Sequence, residues 1–515
     1  MKRITVIWIM IVAASVVAQP FVLGFYSDDW VGCATATRVG GAFSRALLKF
    51  VFSFDPSRPG SAALGYLLGS IARDHVMLWH IGLVLANAVV ALGLVFVIRL
   101  LSGADPRKNP MAIWVGLCWL VMPWNAAMQF WPSLLPYVVL LSGLWLLCVL
   151  LIRGWERNEH HALPAGAVYL CICMSYEAFY FQWMALLLLG VALWSAGRAR
   201  LKDVALSTAG LLAAQVCAAL WHLNAARLFG TGMIGVERPV LGDWPRILFG
   251  DLLTTIPSMY RSFGAARLPF AFLAVALVII FCTTWYRSVR SAQYRQSAWR
   301  CIRLAGCCLI GGVLSVFAFA LGGRGIQAFG LATRTLVIFN FWLVVMAGIC
   351  LIWLLENATR TMRTTALIAM GCLGLTLAAG HVMRLADWAT AWELQKQLLA
   401  AAPVEELRKT PASATILLIN RTAVNRVPIF STSWDLNGAM PWKYPFLSGR
   451  FFRVYAPSQG DLEWDGQRLV YPRGGESETA SDLYVWRAAD GSVTRAVAPA
   501  RVVSRGAGWD AAVVR

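Results

Sequence analysis

About eleven apolar runs of roughly 20 residues, separated by short basic loops, constrain this chain more than any other feature. A helix of that length crosses the hydrocarbon of a bilayer while satisfying its own backbone N–H and C=O groups. The runs lie near residues 4–24, 76–98, 111–130, 134–152, 164–181, 182–196, 204–222, 268–286, 304–322, 335–355 and 366–385. Those at 164–181 and 182–196 are the weakest and read as tilted or partly broken. Only 14% of residues are charged and 59% are hydrophobic, against about 25% charged in a soluble domain. The fold expected is a polytopic α-helical membrane protein of about eleven transmembrane helices with a small C-terminal α/β soluble domain.

Loop charge sets the orientation. Alternate loops carry Lys2 and Arg3; Arg99, Arg107 and Lys108; Arg153 and Arg157; Arg198, Arg200 and Lys202; Arg287, Arg290, Arg295, Arg300 and Arg303; and Arg360 and Arg363. The intervening turns at 123–133 and 175–183 hold no Lys or Arg. By the positive-inside rule the N-terminus is cytoplasmic and the C-terminus external, which in a bacterial inner membrane means periplasmic. The net charge of +19 follows from that pattern, and no nucleic-acid partner is expected. Lys2-Arg3 followed by an apolar stretch has the look of a signal peptide, but an apolar length of about 21 residues suits an uncleaved anchor.

Residues 1–386 form the transmembrane domain, with outer loops 25–75, 223–267 and 323–334; residues 387–515 form the external domain. Within the first loop Ala42–Phe54 places Arg45 and Lys49 among Phe43, Leu47, Leu48, Val51 and Phe52, a spacing that suits a helix lying in the interface. The tail is helical first, over Trp388–Arg408, and then mixed. Strands are expected at Ala414–Ile419, Phe451–Tyr455, Arg468–Tyr471 and Leu483–Arg487, with a hairpin turn at Ala489-Asp490-Gly491-Ser492. Most of the twelve cysteines lie in apolar runs and none lies in 387–515. They read as small packing residues, without a disulfide framework or zinc-ligand company.

The strongest chemical signal is Tyr26-Ser27-Asp28-Asp29-Trp30, two adjacent carboxylates directly after the first run. Carboxylates beside hydrocarbon are costly and tend to be functional, and like charges side by side raise at least one pKa. The alternative is a polar cap where the helix leaves the bilayer. Arg58-Pro59-Gly60 makes a rigid turn before the second run, holding Arg58 either near an active face or beside lipid phosphate. Glu177 is the one formally charged group between runs five and six, in an aromatic turn, and serves as a functional acid or a helix cap. Gly322-Gly323-Arg324-Gly325 and Thr333-Arg334-Thr335 place arginines, whose planar fork suits phosphate, beside glycines that leave amides accessible. The plainer reading is a loop with two solvated arginines. His75, His80 and His222 read as interfacial packing, and Ser431–Gly438 suits a sugar contact or an ordinary surface loop.

A first membrane helix, an aromatic-x-Asp-Asp motif and a long outer loop with interfacial helices together resemble the GT-C superfamily of membrane glycosyltransferases. The likeness covers the whole chain in topology but only short motifs in residues. It implies an inverting transferase that takes a sugar from a polyprenyl-phosphate carrier to a periplasmic-side acceptor, whether glycan, lipid or protein. It also implies that Asp28 or Asp29, slightly the former, is the catalytic base or a metal ligand, with Glu177 as a second acid. Arg58, Arg324 and Arg334 would then meet the carrier phosphate. Some branches of the superfamily use a divalent metal such as Mg or Mn; nothing in the sequence requires one. The rivals are a transporter or flippase, or an O-antigen polymerase or ligase, for lipid-linked glycans. Transport would want charge inside the runs, and the polar groups here gather at outer ends.

Overall fold

The computed structural model describes residues 2–30, 47, 51, 56–103, 110–229, 245–321, 330–420, 423–430, 433–455, 461–471, 476–504 and 511–514. Among them, nine helices are long and apolar enough to cross a membrane: Thr5–Val22, Val76–Ser102, Pro132–Glu156, Glu177–Ser195, Leu201–Ala225, Gly264–Arg290, Ala292–Leu321, Thr333–Asn357 and Arg360–Ala400. The chain is a multi-pass membrane protein. Two of the expected runs account for the lower number. The run at 111–130 is bent by 56° between Pro110–Val121 and Pro123–Phe130, and would make a tenth span if taken as one. Pro123 has no N–H to donate and forces Met122 into an extended conformation (ψ 110°). The run at 164–181 yields a helix of 12 residues, Ala162–Cys173, then an irregular aromatic turn. That short helix crosses Leu201–Phe229 at backbone contact. A Cβ on Gly210 would stand 2.5 Å from the Ala162 carbonyl oxygen, so only glycine fits.

Lipid tails are as apolar as leucine, so packing and buried hydrogen bonds must hold such a bundle together. The bent pair shows how. Asn87, on the helix Val76–Ser102, accepts from Trp119 Nε1 at 2.9 Å and donates to the Met128 carbonyl at 2.8 Å, joining both arms of the bend. Gln129 donates to the Trp119 carbonyl at 2.8 Å and accepts from His381 Nδ1 at 3.0 Å, while Gln19 donates to His381 Nε2 at 3.0 Å. Trp124 Nε1 donates to Asn340 Oδ1 at 2.9 Å. Backbone carbonyls at the break are thus met by side chains, Met128 by Asn87 and Trp119 by Gln129, the condition on which irregular backbone is tolerated at membrane depth. Asn87→Leu keeps the volume but leaves the Trp119 indole and the Met128 carbonyl unpaired. Thermal unfolding in detergent is expected to show a loss of about 1–2 kcal/mol. An unchanged melting temperature would deny the network any part in holding the bend.

The helix Arg360–Ala400 runs for 41 residues and passes residue 386 without a break, so the membrane part and the tail share one strut. Beyond it, strands Phe451–Tyr455, Thr415–Ile419 and Leu483–Arg487 pair in parallel, and Val493–Arg495 adds antiparallel after the turn at 489–492. In that turn Gly491 takes φ 69° and Ser492 N donates to Asp490 Oδ1 at 2.9 Å. The central strand Thr415–Ile419 is buried throughout, as its unbroken apolar sequence requires. Ile416 and Leu418 join the core continuous with the helical bundle, and Leu417 and Ile419 join a second core. That second core lies against an antiparallel sheet of five strands, in the order Ala511–Val514, Ala500–Ser504, Leu462–Trp464, Arg468–Tyr471, Glu476–Thr479.

Candidate functional site

The chain leaves its first helix in an extended stretch after Val22, turns at Ser27 and starts one helical turn at Asp28. Ser27 has φ 46°, a left-handed conformation costly for a residue with a Cβ. The turn persists because it is bonded on every side. Gly24 accepts from His80 Nε2 at 3.0 Å, and the Tyr26 hydroxyl donates to the Trp388 carbonyl at 2.7 Å. Trp131 Nε1 donates to the Tyr26 carbonyl at 3.0 Å, and Trp30 Nε1 donates to Gln395 at 3.1 Å.

Within this turn the two carboxylates have different surroundings. Asp29 is 2% exposed. Its Oδ2 accepts from Tyr26 N at 2.7 Å, closing the turn on itself. Its Oδ1 accepts from Ser133 N at 2.6 Å and from the Ser133 hydroxyl. Burial holds the Asp29 carboxyl well above the usual carboxylate range, against the pull of the Ser133 and Tyr26 donors, and the neighbouring Asp28 charge adds to the rise. Asp28 is half-buried. Asp29 is therefore built into the turn, and Asp28 is the carboxylate of the pair that stands nearer the surface.

A second charged group is built around Arg58. Arg58 precedes the helix Pro59–Ala72, with Pro59 at its first position. Arg58 Nε donates to Glu177 Oε2 at 2.8 Å and Nη2 to Oε1 at 2.5 Å, a fork-on-fork pair with side chains 12% and 24% exposed. Gly60 allows the approach, since a Cβ there would lie 2.0 Å from Ser175 Oγ. The Arg58 guanidinium is 5.7 Å from the centre of the Tyr176 ring, which packs on Tyr137 at 4.4 Å. Burial raises the Tyr176 hydroxyl above its ordinary value, and the positive charges of Arg334 and Arg58 oppose that. Arg334 lies 5.3 Å from the centre of the Trp131 ring. Thr333 Oγ1, accepting from Ala127 N at 2.8 Å, ties the turn Gly330–Leu336 to the bent pair.

Trp131 touches both halves, bonding the acidic turn through its indole N–H and lying beside Arg334. Asp28, Asp29, Arg58, Glu177 and Arg334 thus gather at one end of the bundle. Arg58 and Glu177, singled out in the sequence for separate roles, bond to each other. Arg324 and its glycines lie outside the described residues, as does Ala42–Phe54 apart from Leu47 and Val51, which pack with Ala62 and Tyr66. The loop at 223–267 is described in part and carries the helix Leu252–Arg261. Ser433–Lys443 is a helix, and a Cβ on its Gly438 would stand 2.8 Å from the Trp30 carbonyl carbon. Ser133, Trp131, Tyr176 and His80 are the members the sequence did not suggest. Among the described residues no group of three or more His, Cys, Asp or Glu side chains is arranged to hold a metal ion. Both Asp29 oxygens are already engaged, by Tyr26 and Ser133. No family model and no curated protein matches the chain.

Proposed function

We propose that the protein is an inverting glycosyltransferase of GT-C type, moving a sugar from a polyprenyl-phosphate carrier to a glycan, lipid or protein acceptor on the periplasmic side of a bacterial inner membrane. The observation that carries this reading is the acidic turn locked through Ser133 and Trp131 onto a neighbourhood of arginines at one bundle end. The acceptor hydroxyl attacks the anomeric carbon, its proton passes to Asp28, and the bond from that carbon to the carrier phosphate breaks. Arg334 and Arg58 take up the charge on the leaving phosphate. Asp29 is a positioning residue that fixes the Asp28 backbone, and Glu177 is a positioning residue that aims Arg58. One displacement inverts the centre and needs no second nucleophile.

The transport reading is less well supported. The polar side chains inside the spans, such as Asn87, Gln129, His381 and Asn340, are buried and hydrogen-bonded within the bundle, which leaves them structural work. The direct test is transfer of labelled sugar from a polyprenyl-phosphate donor by the purified protein; no transfer to any acceptor across several donor sugars would count against the proposal.

Orientation is tested separately. Reporters fused after Arg107, Arg157, Lys202 and Arg295 are expected to read cytoplasmic, and those after Gly242 and Gly460 external. A cytoplasmic reading at Gly460 would put the acidic turn on the side where polyprenyl-linked sugars are made, and the acceptor class would have to change.

A further inference from the structure

The basic residues at the opposite end of the bundle are usually credited to topology alone, yet three of them line one cavity. It has a volume of about 700 Å³ and lies between the end of Gln182–Ser195 and the first turns of Ala292–Leu321. Arg295, Arg300 and Arg303 line it with Gln293, Gln296 and Ser195, and no acidic residue is among its lining. Each arginine is steadied by a neutral oxygen: Arg295 by the Val289 carbonyl at 3.0 Å, Arg300 by the Leu101 carbonyl at 3.3 Å, and Arg303 by Ser195 Oγ at 3.2 Å. Among the described residues none of the three is ion-paired with a carboxylate; Glu156 and Glu356 act on Arg300 at longer range. The neighbouring Arg198 is different, being paired with Glu156.

The depth of the cavity says what kind of anion it meets. Trp194, Tyr286, Tyr294 and Trp299 are exposed around this level, the pattern of an aromatic belt where hydrocarbon gives way to headgroups. Further along the same helix Leu309 and Ile310 are exposed, a surface for acyl chains. The α-helix Gln182–Ser195 has 14 residues, so about 21 Å of helix separates the cavity from the aromatic turn that carries Glu177. Arginine forks recognise phosphate oxygens in two-point fashion, and basic pockets between membrane helices hold anionic headgroups.

We infer that this cavity is a binding site for a phosphate-bearing anion, and that its occupant is the headgroup of an acidic phospholipid from that leaflet, with its acyl chains along the Leu309–Ile310 surface. The site is independent of the sugar-transfer proposal. The full-length protein, purified in detergent, would be incubated with dioleoylphosphatidylglycerol, dioleoylphosphatidylcholine or inorganic phosphate. Native mass spectrometry would count retained lipid, and thermal unfolding would report protection. The acidic lipid is expected to raise the melting temperature by roughly 3 °C or more over the zwitterionic one and to stay bound. Arg295→Gln with Arg303→Gln should lose both effects, while Arg360→Gln with Arg363→Gln, equal in charge and exposed outside the cavity, should keep them. Gln293→Glu with Gln296→Glu leaves every arginine bond intact and should also abolish retention, so a folding failure of the first variant does not blunt the test. Retention unchanged in both cavity variants, or lost equally in the Arg360 and Arg363 control, overturns the site. Equal protection by inorganic phosphate overturns the lipid as its occupant.

Discussion

Asp28→Asn is expected to lower sugar transfer from a polyprenyl-phosphate donor by about 100-fold or more, the scale for losing a general base. Asparagine keeps the size and the hydrogen bonding of aspartate but takes no proton at neutral pH. Asp28 is half-buried, so the variant should insert and unfold as the parent does. Asp29→Asn should fail in another way. Its amide would face donors at Tyr26 N or Ser133 N that now meet carboxylate oxygens. A mispaired buried group costs about 1–3 kcal/mol, so activity and melting temperature should fall together. The pair of variants separates a group that moves a proton from one that holds a backbone. Parent-rate transfer by Asp28→Asn would reduce the acidic turn to a helix cap and remove the main support for sugar transfer.

Arg334→Ala is expected to weaken use of the lipid donor by about 2 kcal/mol or more, roughly 30-fold, the scale for losing a charged hydrogen-bond partner. The effect should appear in the KM for the carrier-linked sugar as well as in kcat, since the phosphate is bound before and after the displacement. Arg334→Lys should recover only part. Lysine brings a point charge without the fork and stacks less well on the face of Trp131. Equal activity of arginine, alanine and lysine at this position would take Arg334 out of the site.

Much of the architecture was legible because membranes impose a simple length rule. The apolar runs fell where the helices are, and the four expected strands of the tail appeared within a residue of their predicted limits. The break at Pro123 was also written in the chain, but the run length of 111–130 outweighed the proline. The short helix Ala162–Cys173 followed from the aromatic turn after it, where hydropathy alone continued the run. Site residues were legible one at a time, because charge at the edge of hydrocarbon is conspicuous. Their partnerships were not. Asp29 and Ser133 are 104 positions apart, and Arg58 and Glu177 are 119 apart. Ser133 is unremarkable in sequence, and Trp131 is one of 24 tryptophans, so no periodicity or composition could single them out.

The acidic turn has a consequence for how the molecule is made. The turn is made well before its partners, since Tyr26 bonds Trp388 across 362 positions and Trp30 bonds Gln395 across 365. More than 360 further residues must be synthesised before those contacts can close. A nascent chain holds its bundle helices first and an unseated turn throughout. A stop before residue 388 removes both Trp388 and Gln395, so a segment made late acts as the latch for one made early.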